Sequence, residues 1–191
     1  MTDSKTKHAI FTIERTFKAP PKRVFAAWAT PEGKAAWFGG PSGDSVEEIR
    51  EFNFREGGSD RLRGRWNNGR VSDYKATYWE IIPDRRIVYA YEMFMNDSFR
   101  MSVSLATIEF EPAGAGTKMT VTEQGAFLEP FDQGGDDAGG REHGTNWLMD
   151  KLVAYLDGAD LQECWIGVAA WARPALRLRD RRGGGGWGRR G

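Results

Sequence analysis

The stretch "GTNWLMDKLVAYL", residues 144–156, decides the fold, because it reads as one long helix that the rest of the chain must accommodate. At about 100° per residue, Thr145, Met149, Leu152 and Leu156 fall on one face with Val153 beside them. Trp147, the largest residue of the stretch, lies roughly 200° round from Thr145 and so off the apolar stripe. The helix therefore has an inner face suited to closing over a sheet, and an indole on its flank that needs a cover of its own.

Upstream, the periodicity is of a different kind. "AIFTIERTF" (residues 9–17) alternates, with Ile13, Arg15 and Phe17 on one side and Thr12, Glu14 and Thr16 on the other, and predicts a strand that stops at Pro20-Pro21. In "PPKRVFAAWATPEGKAAWF", Pro21 suits a first helical turn and Val24, Phe25 and Trp28 share a face. Thr30-Pro31 then opens a second short helix that ends at Trp37-Phe38, before Gly39-Gly40.

From about Glu47 to Gln124 the chain breaks repeatedly at turn residues: Glu56-Gly57-Gly58, Asn67-Asn68-Gly69, Pro83-Asp84, Asn96-Asp97 and Pro112-Ala113-Gly114. The runs between them are rich in β-branched and aromatic residues, and connections this short make antiparallel hairpins, not parallel crossovers. In "IVYAYEMFM", Ile87, Tyr89, Tyr91, Met93 and Met95 share one face, and Val88, Ala90, Glu92 and Phe94 the other. Residues 125–140, rich in Gly and Asp, read as a loop before the long helix. The order is strand, two short helices, about six strands, long helix: an α+β fold in which a curved antiparallel sheet of about seven strands wraps round a C-terminal helix.

Composition bounds the function. A chain of 191 residues with 40% hydrophobic and 13% aromatic content can form one globular domain with a real core. No apolar run approaches the eighteen or so residues of a membrane span, so a soluble, cytoplasmic protein is expected. A single cysteine, Cys164, leaves no internal disulfide, and His8 and His143 form no cluster with zinc-ligand spacing; no metal and no cofactor are expected. There is no nucleophile elbow, phosphate loop or dinucleotide fingerprint.

The formal charge of zero hides an asymmetry. Residues 173–191 hold seven arginines, one aspartate and six glycines, a net +6 that leaves −6 on residues 1–172. Such a tail is expected to be disordered, either as an RNA-contacting arm or as a solvated extension. The acidic body offers no basic platform for it to join, which argues against a nucleic-acid partner. The expected organisation is a flexible N-terminus (1–8), the sheet-and-helix domain (9–158), an extra amphipathic helix (159–172) and the tail (173–191). The extra helix rests on a capping pattern at Asp160 and Glu163, after Gly158 as a helix-ending glycine, with Leu161, Trp165, Val168 and Ala172 in helical phase. It would fold back over Trp147, or, left uncovered, pair two copies; a monomer or weak homodimer is expected.

Five stretches resemble one family in the same order. They are "FKAPPKRVFAAWATPEGKAAWF", "FNFREGGSDRLRGRW", "YWEIIPDRRIVYAY", "SLATIEFEPAGAGTKMTVTEQGAF" and "LMDKLVAYLDG". Together they look like the SRPBCC superfamily (START-like, birch-pollen-allergen-like helix-grip proteins), in the branch similar to the C-terminal domain of activators of the heat-shock-protein-90 ATPase. The resemblance implies a hydrophobic cavity of roughly 300 to 1,000 Å³ between sheet and helix, and an apolar small molecule, lipid-, polyketide- or aromatic-like, as partner. Candidate contacts are Trp28, Trp37, Tyr78, Tyr91, Met93, Phe127, Thr145, Met149 and Leu152. Members of the branch commonly have Gly-Trp where this chain has Gly144-Thr145, so Thr145 stands at the cavity mouth in place of an indole.

For chemistry, the candidates are Glu80, Glu92 and Glu123 with tyrosines 74, 78, 89 and 91. Glu123 is the leading catalytic candidate because it shares strand parity with Met119 and Val121. A Tyr–Glu pair inside the cavity would suffice to enolise a carbonyl compound. His143, before the long helix, is read as an exposed helix-start residue. Three readings follow: a small-molecule binder, a cyclase- or aromatase-type enzyme using a cavity carboxylate, and a co-chaperone-like interaction protein; binding is favoured over catalysis.

Overall fold

The computed structural model describes residues 6–40, 43–96, 99–128 and 138–158. Seven strands, β1 (Thr6–Phe17), β2 (Ser45–Phe52), β3 (Ser59–Trp66), β4 (Val71–Ile82), β5 (Arg86–Met95), β6 (Phe99–Ala113) and β7 (Gly116–Leu128), form one sheet. Two short helices, α1 (Pro21–Ala29) and α2 (Pro31–Trp37), follow β1, and α3 (Ala138–Asp157) follows β7. The sheet order is β1-β7-β6-β5-β4-β3-β2, with every neighbouring pair antiparallel. This is the expected α+β helix-grip architecture.

The local reasons are the expected ones. Pro21 occupies the first turn of α1, and Thr30 serves both helices. Its backbone N–H donates to the Ala26 carbonyl to end α1, while its Oγ1 accepts from the Gly33 N–H at 3.1 Å to cap α2. Gly33 is needed for that close join, since a Cβ there would sit 2.6 Å from Thr30 Oγ1 and 2.9 Å from Ala27 Cα. Between strands, Gly69 (φ 84°) and Asp84 (φ 61°) take the left-handed conformations that tight turns require.

Alternation sorts the sheet into two faces. Ile13, Phe17, Tyr74, Tyr78, Ile87, Tyr89, Tyr91, Ile108, Phe110, Met119 and Val121 are buried on the inner face, where they meet Val24, Phe25 and Trp28 of α1 and Met149, Leu152 and Leu156 of α3. Fully burying a side chain such as Leu152 contributes roughly 1.5–3 kcal/mol, so this interface, not the polar rim, holds α3 in place. The rim does fix its direction: Arg15 of β1 donates to Asp150 Oδ1 at 2.9 Å and to Asn146 Oδ1 at 2.9 Å. The outer face is laced by cross-strand ion pairs, among them Arg86–Glu80 and Arg100–Glu92.

Three boundaries differ from expectation. β1 begins at Thr6, so residues 6–8, read as flexible N-terminus, belong to the sheet; they are exposed on both faces and show no alternation. β7 runs on to Leu128, opposite that extension, so residues 125–128 are strand and not loop. α3 begins at Ala138, so Gly139 and Gly140 are helical despite their low propensity. Gly158 does take the left-handed conformation (φ 73°) of a helix-ending glycine. The extra helix at 159–172, with Cys164, and the tail at 173–191 lie outside the described residues. Among those described, no helix is long and apolar enough to cross a membrane.

Candidate functional site

The inner face of the sheet holds two buried polar clusters joined by tyrosine rings. The first is centred on Glu123 of β7, 3% exposed. The Tyr91 hydroxyl, from β5, donates to Glu123 Oε1 at 2.5 Å and accepts from Arg141 Nη1 at 2.6 Å. Arg141, on the first turn of α3, also donates to Ser102 Oγ at 2.8 Å and lies 3.4 Å from Glu123 Oε1, with its guanidinium 5.6 Å from the Phe127 ring centre. Burial pushes the Tyr91 hydroxyl well above its ordinary pKa, against the opposing pull of the Arg141 guanidinium. The phenol therefore stays protonated and acts as the donor to the carboxylate.

The second cluster lies where α2 meets β3 and β4. Lys34 and Asp60 are each 1% exposed and 3.5 Å apart, and the Tyr78 hydroxyl donates to Asp60 Oδ2 at 3.0 Å. The Lys34 ammonium is enclosed by rings, with centres at 4.3 Å for Phe38, 4.7 Å for Trp28, 5.1 Å for Trp37 and 5.9 Å for Tyr89. Burial lowers its pKa, and Asp60 opposes that shift. The clusters are linked through Tyr89, whose ring is 6.0 Å from Tyr78 and 5.9 Å from Tyr91, and through Tyr74, 5.2 Å from Tyr91.

The residues anticipated from sequence divide between these clusters. Tyr91, Phe127 and Glu123 come together in the first; Trp28, Trp37 and Tyr78 surround the second. Met149 and Leu152 are buried against the sheet, Met93 packs partly buried at the core's margin, and Thr145 is half-buried on α3. All four named tyrosines are buried on the inner face. Of the other carboxylates, Glu80 is held by Arg86 and Glu92 by Arg100 on the half-exposed outer side, which leaves Glu123 as the inward one. Trp147 is half-buried with the Lys151 ammonium 4.7 Å from its ring, and Lys151 in turn donates to the Gly39 carbonyl at 3.2 Å.

Sequence reasoning missed Lys34, Asp60, Arg141, Ser102 and Ser104. The serines had a signal: in "MSVSLATIEF" they share parity with Ala106 and Ile108. Lys34 and Asp60 had none, since burial is the exception for both residue types. Arg141 falls between the loop read at 125–140 and the helix read from Gly144, where neither periodicity places it.

A recess of about 250 Å³ opens beside the second cluster, lined in part by Ala35, Ala36, Gly39, Gly40, Leu62 and Lys151. It is smaller than the cavity expected from the family resemblance, and none of the residues anticipated as ligand contacts lines it. A larger, open trough of about 590 Å³ lies on the outer face over Ile10, Val103 and Leu105. Among the described residues, no group of three or more His, Cys, Asp or Glu could hold a metal ion.

Comparison with known proteins agrees with this fold. A protein from Rhizobium leguminosarum shares 39% identity over 82% of this chain and 99% of its own, with a TM-score of 0.75. A protein from Rhizobium loti shares 39% identity over 78% of this chain and 98% of its own, with a TM-score of 0.70. A Chromobacterium violaceum protein at 21% identity, covering 78% of this chain and 96% of its own (TM-score 0.61), shares the fold. No curated protein matches. The family model described as "Activator of Hsp90 ATPase homolog 1-like protein" matches residues 18–157. The chain is a member of that family, within the helix-grip superfamily.

Proposed function

We propose that the protein binds a small, largely apolar molecule between its sheet and α3, in contact with Tyr91, Met93, Phe127, Thr145, Met149 and Leu152, and with Trp28, Trp37 and Tyr78 toward α2. The supporting observation is the Arg141–Tyr91–Glu123 network, buried among aromatic and aliphatic side chains of the inner face. Burying charged groups is costly, and well-packed hydrophobic residues often serve stability as well or better, so a polar network here suits the orientation of a ligand. Native mass spectrometry of the protein purified from its own cells tests this: a retained apolar compound supports it, and a protein that neither retains nor takes up any apolar compound sinks it.

A second reading is favoured by the 2.5 Å bond between Tyr91 and Glu123. In this reading Glu123 takes a proton from the carbon next to a bound carbonyl, and the Tyr91 hydroxyl, held by Arg141, turns its hydrogen from Glu123 to the carbonyl oxygen as the enolate forms. Proton exchange of 2-tetralone in deuterated buffer, followed by NMR, should then be accelerated by the protein and lost in Glu123→Gln. An exchange rate equal to that of buffer would leave binding as the function.

A further inference from the structure

Two polar atoms on the inner face lack a hydrogen-bond partner within the described protein: Trp28 Nε1 and the Tyr74 hydroxyl, both buried. Trp28 is 2% and Tyr74 6% exposed. Both belong to the surroundings of the second cluster. The Trp28 ring stands 4.7 Å from the Lys34 ammonium, and the Tyr74 ring packs 4.9 Å from Phe38, itself 4.3 Å from the same ammonium. A buried N–H or O–H left unpaired costs free energy that a native core normally avoids. Trp37 shows the ordinary solution, since its Nε1 donates to the Ala27 carbonyl at 2.9 Å.

Two donors here are left over. Lys34 pairs with Asp60 and the Tyr78 hydroxyl donates to the same carboxylate, but neither Trp28 Nε1 nor the Tyr74 hydroxyl reaches it or another partner among the described residues. The walls are flat and aromatic, formed by Trp28, Trp37, Phe38, Tyr74 and Tyr89. What would complete such a site is a hydrogen-bond acceptor attached to a flat apolar body.

We propose that the α2 end of the grip is the polar terminus of the ligand site, and that it takes the carbonyl oxygen of an aromatic ketone or related flat carbonyl compound from Tyr74 O–H and Trp28 Nε1–H. This assignment rests on the reading that the grip binds a small molecule, and it narrows the class of that molecule. Lys34, held by Asp60, supplies positive potential behind the two neutral donors and selects against cationic ligands.

The test compares two probes of nearly the same shape, 2-acetylnaphthalene and 2-ethylnaphthalene, which differ in one carbonyl oxygen. Their dissociation constants are measured by calorimetry on the full chain, on Tyr74→Phe and on Trp28→Phe. The ratio of the two affinities cancels changes in pocket volume, and thermal melts of the free proteins check the fold. Expected is a preference for the ketone in the unmodified protein that falls roughly three- to tenfold in each variant, the scale of one hydrogen bond, while Tyr74→Phe alone melts no lower than the parent. A ratio unchanged in both variants overturns the carbonyl subsite and leaves grip binding standing. Failure of both probes to bind any of the three proteins overturns the carbonyl subsite, and grip binding then stands or falls on the native mass spectrometry.

Discussion

Lys34 and Asp60 face each other at 3.5 Å across the gap between α2 and β3, and neither reaches solvent. Removing one member of a buried pair strands the other, so Lys34→Met is expected to destabilise by about 3–5 kcal/mol. Lys34→Met with Asp60→Asn should recover most of that loss. Urea denaturation of the two variants beside the parent measures both.

The same pair predicts a pH dependence with a definite sign. Burial holds the native pKa of Lys34 below its ordinary value of 10.5, so between those two values the unfolded chain binds the extra proton and stability rises with pH. From about pH 7 to about pH 9.5, below the range where unfolded tyrosines ionise, the parent should gain stability relative to Lys34→Met. A difference that stays constant over that interval would mean that Lys34 keeps its full charge in the core.

Arg141 faces Glu123 as a cation, and Tyr91 as a neutral hydrogen-bond donor. Arg141→Met should accordingly cost about 3–5 kcal/mol and Tyr91→Phe about 1–3 kcal/mol, read from the midpoints of chemical unfolding. The reverse order would show that the phenol, not the guanidinium, holds the carboxylate in the core.

The tie between β1 and α3 is directional more than energetic. Asp150 is 65% exposed, so a double-mutant cycle on Arg15 and Asp150 should return no more than about 1 kcal/mol. Leu152→Ala, at a position with 0% exposure, should cost about 2–5 kcal/mol. Melting curves of these variants decide the ranking.

Gly125 lies under the Phe127 ring: a Cβ there would stand 2.9 Å from two ring atoms and 3.1 Å from Ser104 Oγ. Gly125→Ala should displace Phe127 and Ser104 together, with a stability loss of about 1–3 kcal/mol. It should also shift the methyl and aromatic NMR signals of the Arg141 end of the grip while leaving those around Lys34 in place.

Most of the fold was readable because it is written in turn chemistry and alternation. Proline at the start of each short helix, the Gly- and Asn-containing turns and the parity of "IVYAYEMFM" all describe local geometry that the tertiary structure keeps. The misread boundaries are those where tertiary contact overrides propensity. Gly139 and Gly140 are poor helix formers that are nonetheless helical in α3. Strand parity put Glu123 on the side of Met119 and Val121, and Tyr89 on that of Tyr91, and all five are buried. It gave no warning of Lys34, because a charge on a seven-residue helix is expected at the surface, and only the convergence of Trp28, Trp37, Phe38 and Tyr89 explains how it is buried.

The sheet order also bears on how the molecule comes to be assembled. Strands β2 to β7 form a meander of hairpins between chain neighbours, but β1 joins it only through β7, pairing Thr6 with Leu128 and Phe17 with Thr117. Closing so long a loop carries a larger entropy cost than any hairpin of the meander, so β1 is expected to pair after it. Tyr91 with Glu123, and Lys34 with Asp60, can both meet before that closure, because neither pair is joined through β1. Arg15 reaches Asp150 and Asn146 only with it, so the grip's hold on the direction of α3 is the part that waits for the first strand.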